Sequence, residues 1–342
     1  IEIFQLNNTM ATARSQEGIY SLVKDRTLVL EKKASRIPDY NGVVVIEDIL
    51  LVTDINERNL HLYSLQDGKL LSSHRLEDDP YGVCLTSKTE VAVCLSDSIV
   101  IVSFKSIDDV KRVKTLNVRK GFTWCHSVEK WTSDILLVSG VNDFMLRWGV
   151  VSITDGRLDS IHDICKGYGT HVAIKDNTVY ISCRTSDSIT RGVYAYDIFN
   201  PHTHKFLYRH EELKSPWSIM ADRNSVLVCD RDSNRIHQLT DSGQLVTIHT
   251  MSTRLDRIFY DDQHGDLYTT MVGSNVITIY RMEYLHQSSV PLEILNMDHR
   301  SIHLFQEALK DGKETVYSIQ IMVVGHMGVG KTTLVKRLLG QE

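Results

Sequence analysis

The chain has 342 residues, of which 42% are apolar and 24% charged, and its formal net charge is −5. These proportions are ordinary for a globular protein, and they exclude a collagen-like, coiled-coil or globally disordered chain. The small negative charge argues against a protein that works by coating nucleic acid or an anionic membrane, local basic patches aside. No segment reaches the roughly 20 consecutive apolar residues that a membrane-spanning helix needs.

The six cysteines stand singly, without a C-x-x-C pair, and several lie inside apolar runs such as residues 91–94 and 226–229. This pattern predicts buried free thiols in strands rather than disulfides or a metal site, and it favours a reducing compartment. The N-terminus shows no signal sequence. We therefore expect a cytoplasmic protein. Because the chain begins at Ile1 and ends at Glu342 inside a motif, we also expect it to be part of a longer protein.

The first predicted strands lie at residues 19–23 and 26–31, ahead of a region that repeats itself. We predict that this leading segment supplies a strand that closes the last repeat unit. Between residues 38 and 281 the sequence restarts about every 40 residues, a period typical of repeat folds. In the two clearest copies, a proline precedes Cys94 or Asp230 by fourteen residues. The units begin near residues 38, 80, 122, 166, 214 and 252.

Within each unit the apolar runs are short and rich in Val, Ile, Leu and Tyr, with Asp-Gly, Ser-Gly and Asp-Asn turns between them. Helical periodicity is absent from this region. About four short strands per unit predict blades packed radially around an axis, and six units are enough to close a ring. We therefore predict a mainly β fold with a six-bladed β-propeller over residues 1–285.

Residues 49–68 and 215–243 resemble NHL repeats, the propeller units of tripartite-motif proteins and their relatives. The WD40 type is the alternative, although no Trp-Asp or Gly-His pair ends any unit. The resemblance implies a protein or RNA ligand on one rim of the ring. Plausible rim contacts, which could equally be packing residues, are Tyr81, Trp124, Trp217, Arg231 and Arg235.

Enzymatic propellers gather acidic residues or histidines at the central channel, and the candidates here are Asp54, Asp230, Asp232, His126 and His171. An Asp directly after a strand commonly holds the next turn by side-chain hydrogen bonds, which is the interpretation we favour. Neither histidine has a metal-binding spacing, and no loop completes a calcium-binding run. We therefore expect the propeller to be a binding platform.

After the last repeat unit the sequence pattern changes. Residues 286–315 are predicted to form a linker and a short amphipathic helix that begins after Ser301 and ends at Gly312. Residues 316–324 read as a buried strand that leads directly into a G-x-x-x-x-G-K-T run and another helix. We interpret residues 316–342 as the first strand, phosphate loop and first helix of a truncated α/β P-loop NTPase domain.

The strand before the loop and the helix after it are the context that this motif requires. The predicted phosphate-binding residues are Gly325, His326, Met327, Gly328, Val329, Gly330, Lys331, Thr332 and Thr333. Backbone N–H groups and the helix N-terminus would bind the β-phosphate. Lys331 would reach the β- and γ-phosphates, and the Thr332 hydroxyl would bind Mg²⁺. No residue here is predicted to be catalytic.

Residues 319–338 resemble the start of a Roc domain, the Ras-like GTPase of ROCO proteins, and residues 306–314 resemble its lead-in. The resemblance implies GTP and Mg²⁺ as ligands of the complete domain. The phosphate loop of STAND ATPases is the alternative, and it implies ATP. D-x-x-G and N-K-x-D motifs do not follow the loop in this chain, so we expect it to bind nucleotide weakly or not at all by itself. A third hypothesis makes the propeller a scaffold or recognition module without nucleotide function.

Overall fold

The structure, a computed structural model, describes residues 19–285 except 33–36, 108, 210–212, 223–224, 253, 262–263 and 272. The chain divides into two compact units, Ile1–Ser289 and Val290–Glu342, and the described residues belong to the first. The predicted linker and helix at 286–315 and the predicted P-loop region at 316–342 lie outside the described residues. No helix long and apolar enough to cross a membrane is found in the described part of the chain.

Every regular element of the described part is a β-strand, and the strands form six antiparallel sheets of four. The leading strand is β1 (Ile19–Val29). Blade one contains β2 (Tyr40–Ile46), β3 (Ile49–Asp54), β4 (Asn59–Ser64) and β5 (Leu70–Arg75). Blade two contains β6 (Val83–Ser87), β7 (Glu90–Cys94), β8 (Ser98–Phe104) and β9 (Val110–Asn117). Blade three contains β10 (Trp124–Lys130), β11 (Ile135–Asn142), β12 (Met145–Ser152) and β13 (Leu158–Lys166).

The remaining blades follow the same order along the chain. Blade four contains β14 (Gly169–Lys175), β15 (Thr178–Arg184), β16 (Gly192–Asp197) and β17 (Asn200–Tyr208). Blade five contains β18 (Pro216–Ala221), β19 (Val226–Asp230), β20 (Arg235–Leu239) and β21 (Leu245–Thr250). Blade six contains β22 (Leu255–Asp261), β23 (Asp266–Met271), β24 (Val276–Leu285) and, as its outermost strand, β1.

The innermost strands of the blades are β2, β6, β10, β14, β18 and β22, which contact one another around a closed ring. These strands begin at residues 40, 83, 124, 169, 216 and 255, within three residues of the predicted unit starts. The six-bladed propeller predicted from the repeat is therefore confirmed.

The ring is closed by strand β1, which pairs antiparallel with β24 through partners such as Val29 and Val276. Just beyond the strand, the backbone N–H of Leu30 donates to the carbonyl oxygen of Asn275 at 2.8 Å. The predicted closing role of the leading segment is thus confirmed. One blade combines the beginning and the end of the propeller sequence, so the ring cannot open without breaking a sheet.

The core consists of six apolar clusters, one between each pair of neighbouring blades. Successive residues of a strand point to opposite faces of its sheet, so each middle strand supplies two clusters. In β11, Leu136 and Val138 pack toward blade two, whereas Leu137 packs toward blade four. The middle strands are continuous apolar runs without polar alternation because both faces of each blade are buried.

The cysteines follow the prediction made from their sequence context. All six are free, five are buried, and Cys165 is partly buried. The Sγ atoms of Cys94 and Cys125, from blades two and three, lie 2.7 Å apart. Burial raises the pKa of the Cys94 thiol well above its ordinary value. The buried thiols act as small apolar side chains between blades.

Candidate ligand site at the channel mouth

One end of the central channel is formed by the beginnings of the six innermost strands, and we call this end the mouth face. A cavity of about 290 Å³ lies there, the mouth cavity. A second cavity of about 640 Å³ occupies the rest of the channel, the channel cavity. The mouth cavity is lined by polar and aromatic side chains that include Asn41, Tyr81, His126, His171, Trp217 and Arg257.

Arg257 spans the channel near its axis. Its Nη1 donates to Nε2 of His171 in blade four, and its Nη2 donates to Oδ1 of Asn41 in blade one. Asn41 in turn donates from Nδ2 to Oδ1 of Asp39 at 3.0 Å. Asn41 and His171 line both cavities, so the three linked side chains form a bar between the mouth cavity and the channel cavity.

Three arginine guanidinium groups lie close to the indole ring of Trp217, which also lines the mouth cavity. The guanidinium carbons of Arg184, Arg231 and Arg257 lie 4.5, 4.9 and 5.1 Å from its ring centroid. Each distance is within the range in which a cation is attracted to an aromatic face. Arg231 also forms a salt bridge with Asp256, with 3.1 Å between Nε and Oδ1.

Arg257 is only 5% exposed, and among the described residues it forms no salt bridge with a carboxylate. Its Nε is buried without a hydrogen-bond partner in the described part of the chain, as are Nε1 of Trp217 and Nδ1 of His126. A buried cation without a counter-ion, and buried N–H groups without acceptors, are both costly in free energy. The site is therefore rich in donors that a ligand with oxygen acceptors would satisfy.

Both channel histidines are held in the neutral form. Burial, reinforced by the positive charge of Arg257, lowers the pKa of His126 to about 4. The same two causes lower the pKa of His171 well below its ordinary value. Neutral His171 is consistent with its geometry, because its Nε2 must carry a lone pair to accept from Arg257. Burial also raises the pKa of the Asp256 carboxyl.

Three large aromatic side chains lie open to solvent on the mouth face, all of them in blade three or just before blade four. Trp124 at the start of β10 is 51% exposed, Phe144 in the β11–β12 turn is 66% exposed, and Tyr168 before β14 is 59% exposed. The rings of Phe144 and Tyr168 contact each other edge to face, with 6.5 Å between their centroids. We call Trp124, Phe144 and Tyr168 the mouth patch.

The acidic candidates prove to be turn residues, as predicted for Asp54 and Asp230. Oδ1 of Asp54 accepts the backbone N–H of Asn56 at 2.9 Å. Oδ1 of Asp230 accepts the backbone N–H of Ser215 at 2.6 Å. Asp232 lies exposed on the turn after β19.

Asp54 also belongs to a group of potential metal ligands. Ligand atoms of Asp54, Glu57 and His61 lie within 4.8 Å of one another. Nε2 of His61 is 3.3 Å from a Glu57 carboxylate oxygen. The backbone contacts of Asp54 already give this group a structural role at the β3–β4 turn.

The histidine and rim candidates are largely brought together. His126, His171, Tyr81, Trp217 and Arg231 all line the mouth cavity. Trp124 belongs to the mouth patch instead, and Arg235 lies in β20 outside the cavity lining.

Two central residues were not predicted, Arg257 and Asn41. A signal was available for Arg257, since it lies between apolar residues in the strand-like run at 255–259, early in the last repeat unit. A charged residue in such a strand indicates either an error in the strand assignment or a buried functional charge.

The nucleotide candidates, residues 325–333, lie outside the described residues. Their assignment therefore still depends on the sequence motif alone.

The fold and the site together define a six-bladed β-propeller with a polar, donor-rich channel mouth. No protein-family model and no curated protein matches this sequence. Among solved structures, the chain is similar to a gluconolactonase from Xanthomonas campestris, with a TM-score of 0.57 and 10% identity over 77% of this chain and 97% of that one. A luciferin-regenerating enzyme gives a TM-score of 0.57 and 14% identity over 78% and 96% of the two chains.

A third similar structure is a β-propeller domain from Myceliophteria thermophila, with a TM-score of 0.54 and 14% identity over 77% of this chain and 93% of that one. Identities this low show the shared propeller fold and nothing about function.

Proposed function

We propose that this chain is the partner-binding propeller of a larger signalling protein, and that it binds a protein through its mouth face. The observation that carries this proposal is the mouth patch, three exposed aromatic side chains beside a cavity of unpaired donors. Exposed apolar patches on soluble proteins mark interaction sites. Aromatic and arginine side chains are also the types that contribute most binding energy at protein interfaces.

The partner is proposed to be a protein rather than RNA. RNA-binding surfaces combine stacking aromatics with a dense basic field. Here acidic residues stand among the basic ones at the mouth, Asp39 and Asp256 in the cavity lining and Asp143 and Asp187 on nearby turns. The chain as a whole carries a net charge of −5.

The test is selection of short linear peptides from a display library on the native chain, followed by measurement of their affinity for variants. We expect Phe144→Ala and Tyr168→Ala each to weaken a selected peptide by about tenfold or more, as hot-spot truncations do. The matched control is Phe199→Ala, which removes a 72% exposed aromatic ring from the β16–β17 turn at the opposite end of the channel.

Equal losses in the mouth-face variants and in Phe199→Ala would overturn the assignment of the mouth face. Selection of no peptide at all, together with tight binding of single-stranded RNA that the same variants abolish, would overturn the choice of a protein partner.

For the region at 316–342, we propose a Ras-like GTPase start in which residues 325–333 bind the phosphates of GTP and Thr332 binds Mg²⁺. The G-x-x-x-x-G-K-T run between a predicted strand and a predicted helix supports it. The run Val323-Val324-Gly325 before the loop favours the GTPase over the STAND ATPase, for which ATP would replace GTP.

The deciding observation for this second proposal is the coding sequence that follows the codon for Glu342. D-x-x-G followed by N-K-x-D supports the GTPase, because these motifs bind Mg²⁺ through the γ-phosphate side and read guanine. An acidic Walker-B strand with a sensor arginine supports the ATPase instead. A stop codon would contradict both and leave the propeller as the functional part.

We also propose a cytoplasmic location for the protein. Its six free cysteines support this, since a reducing compartment keeps such thiols unpaired. We expect the protein to be recovered from the cytoplasm without a reducing agent and to show six titratable thiols after denaturation.

A further inference from the structure

We propose that the mouth cavity is a binding site for a single carboxylate group, carried by the protein partner, which Arg257 binds through its unpaired N–H donors. This inference rests on the proposed function, because the carboxylate belongs to the partner that docks on the mouth face.

The donor inventory of Arg257 leaves room for such a ligand. A guanidinium has five N–H donors, and the contacts with His171 and Asn41 use two of them. Nε is among those left without a partner in the described residues. A carboxylate is planar and accepts two parallel N–H bonds from one edge of a guanidinium, a geometry that Nε–H and one Nη–H provide together.

The same cavity supplies further donors. Trp217 lines it, and its Nε1–H, which can only donate, has no acceptor among the described residues. His126 also lines it and is neutral, so Nδ1 carries either a proton or a lone pair. With the proton on Nδ1, His126 would add a third N–H to the carboxylate.

The charge balance favours a monoanion. Three guanidinium groups surround Trp217, and two carboxylates, Asp39 and Asp256, line the cavity. Asp256 is already paired with Arg231, and the histidines are neutral. Asp78, Asp79 and Arg254 lie outside the cavity lining. In the cavity lining, Arg231 and Arg257 are balanced in number by the two carboxylates, and Arg184 on the Trp217 ring adds one further positive charge. This single excess charge matches a carboxylate better than a phosphate dianion.

A cavity of about 290 Å³ holds a side-chain-sized group, not a folded segment. The bar formed by Asn41, Arg257 and His171 separates it from the channel cavity. The carboxylate is therefore either an Asp or Glu side chain of the partner or the partner's C-terminus, inserted from the mouth face and stopped at Arg257.

The experiment uses short blocked peptides and solution NMR on the intact chain. The probes are N-acetyl-Gly-Glu-Gly-amide, its neutral match N-acetyl-Gly-Gln-Gly-amide, and N-acetyl-Gly-Gln-Gly with a free C-terminus. The readouts are the indole N–H resonance of Trp217 and the titration midpoint of His126. A bound carboxylate offsets the charge of Arg257, so it raises the pKa of His126 from about 4.

We expect saturable shifts from the Glu peptide or from the free C-terminus, at least about tenfold tighter than from the neutral peptide. Preference between the two carboxylate probes identifies the source of the group. Arg257→Met should abolish these shifts while keeping the fold, since it removes a buried charge that forms no salt bridge among the described residues and is therefore costly to bury. Arg157→Gln, which removes an exposed arginine of blade three, should change nothing.

The inference is wrong if neither carboxylate probe binds more tightly than the neutral peptide N-acetyl-Gly-Gln-Gly-amide, if neither carboxylate probe shifts these resonances, or if Arg257→Met binds the carboxylate probes as tightly as the native chain. Tighter binding of inorganic phosphate than of both carboxylate probes would overturn the choice of a monoanion. If the mouth-patch variants bind the display peptides more weakly but neither carboxylate probe shifts the resonances, this inference is wrong and the proposed function is still supported.

Discussion

The closure of the ring by strand β1 makes a quantitative prediction at Leu30. Leu30 is fully buried in the cluster between blades six and one, where it joins Val43 and Leu50 of blade one and Ile277 of blade six. Leu30→Ala removes three carbon atoms, and at about 0.8 kcal/mol per buried methylene the lost transfer free energy is about 2.4 kcal/mol. The cavity left behind raises the expected loss to about 3–5 kcal/mol.

The chain supplies a matched control next to it. Val29 is the preceding residue and is 62% exposed, so Val29→Ala should cost less than about 1 kcal/mol. The measurement is urea unfolding of both variants followed by tryptophan fluorescence. An equal dependence on urea shows that the midpoints report stability. Similar midpoints for the two variants would refute the packing of the leading segment against blade one.

Three further predictions test other parts of the fold. Gly140→Ala should destabilise the protein by about 3 kcal/mol or more, because a Cβ at Gly140 would lie 2.1 Å from the Trp124 carbonyl oxygen. Gly265 is the control, since nothing lies within 4 Å of a Cβ placed there. Gly265→Ala, which bears only the strain of φ +73°, should cost about 1 kcal/mol in the same unfolding assay. Ellman's reagent should modify one thiol quickly in the native protein and six in denaturant. Only Cys165 is partly exposed, and its hydrogen bond with Cys183 lowers its pKa. Rapid modification that persists in Cys165→Ser would contradict this prediction. The folded-state pKa of His126 lies near 4, below the ordinary 6.5, so the unfolded chain takes up the proton first as the pH falls. Stability is therefore lost as the pH is lowered from 6.5 towards about 4. His126→Gln should remove up to about 1.4 kcal/mol per pH unit from that slope, and identical pH profiles of the two proteins would show that His126 is not buried as a neutral side chain.

The fold was predictable because its determinants are local and repeated. Each unit carries its own apolar runs and turn residues, so the period of about 40 residues gives the blade count directly. The turn roles of Asp54 and Asp230 were predictable for the same reason, since their partners lie within one hairpin or the loop that precedes it. Even ring closure followed from the pattern, because the leading segment contained strand-like runs ahead of the first of the six units.

The mouth cavity was only partly predictable. His126, His171 and Trp217 were recognised as residue types that suit a channel or rim. Their convergence on Arg257 depends on contacts between distant segments, since Arg257 lies 216 positions after Asn41 and 86 positions after His171 in the sequence. Such contacts follow from closing the ring, and no sequence periodicity encodes which side chains then meet at its axis.

Hydrogen exchange with a selected display peptide bound shows whether the propeller binds its partner through the mouth face. We expect slower amide exchange at the mouth face, in the β11–β12 turn, at residues 167–171 and at the start of β22. Slower exchange confined to the opposite end of the channel, in the β16–β17 turn around Phe199 and at residues 131–134, would contradict it.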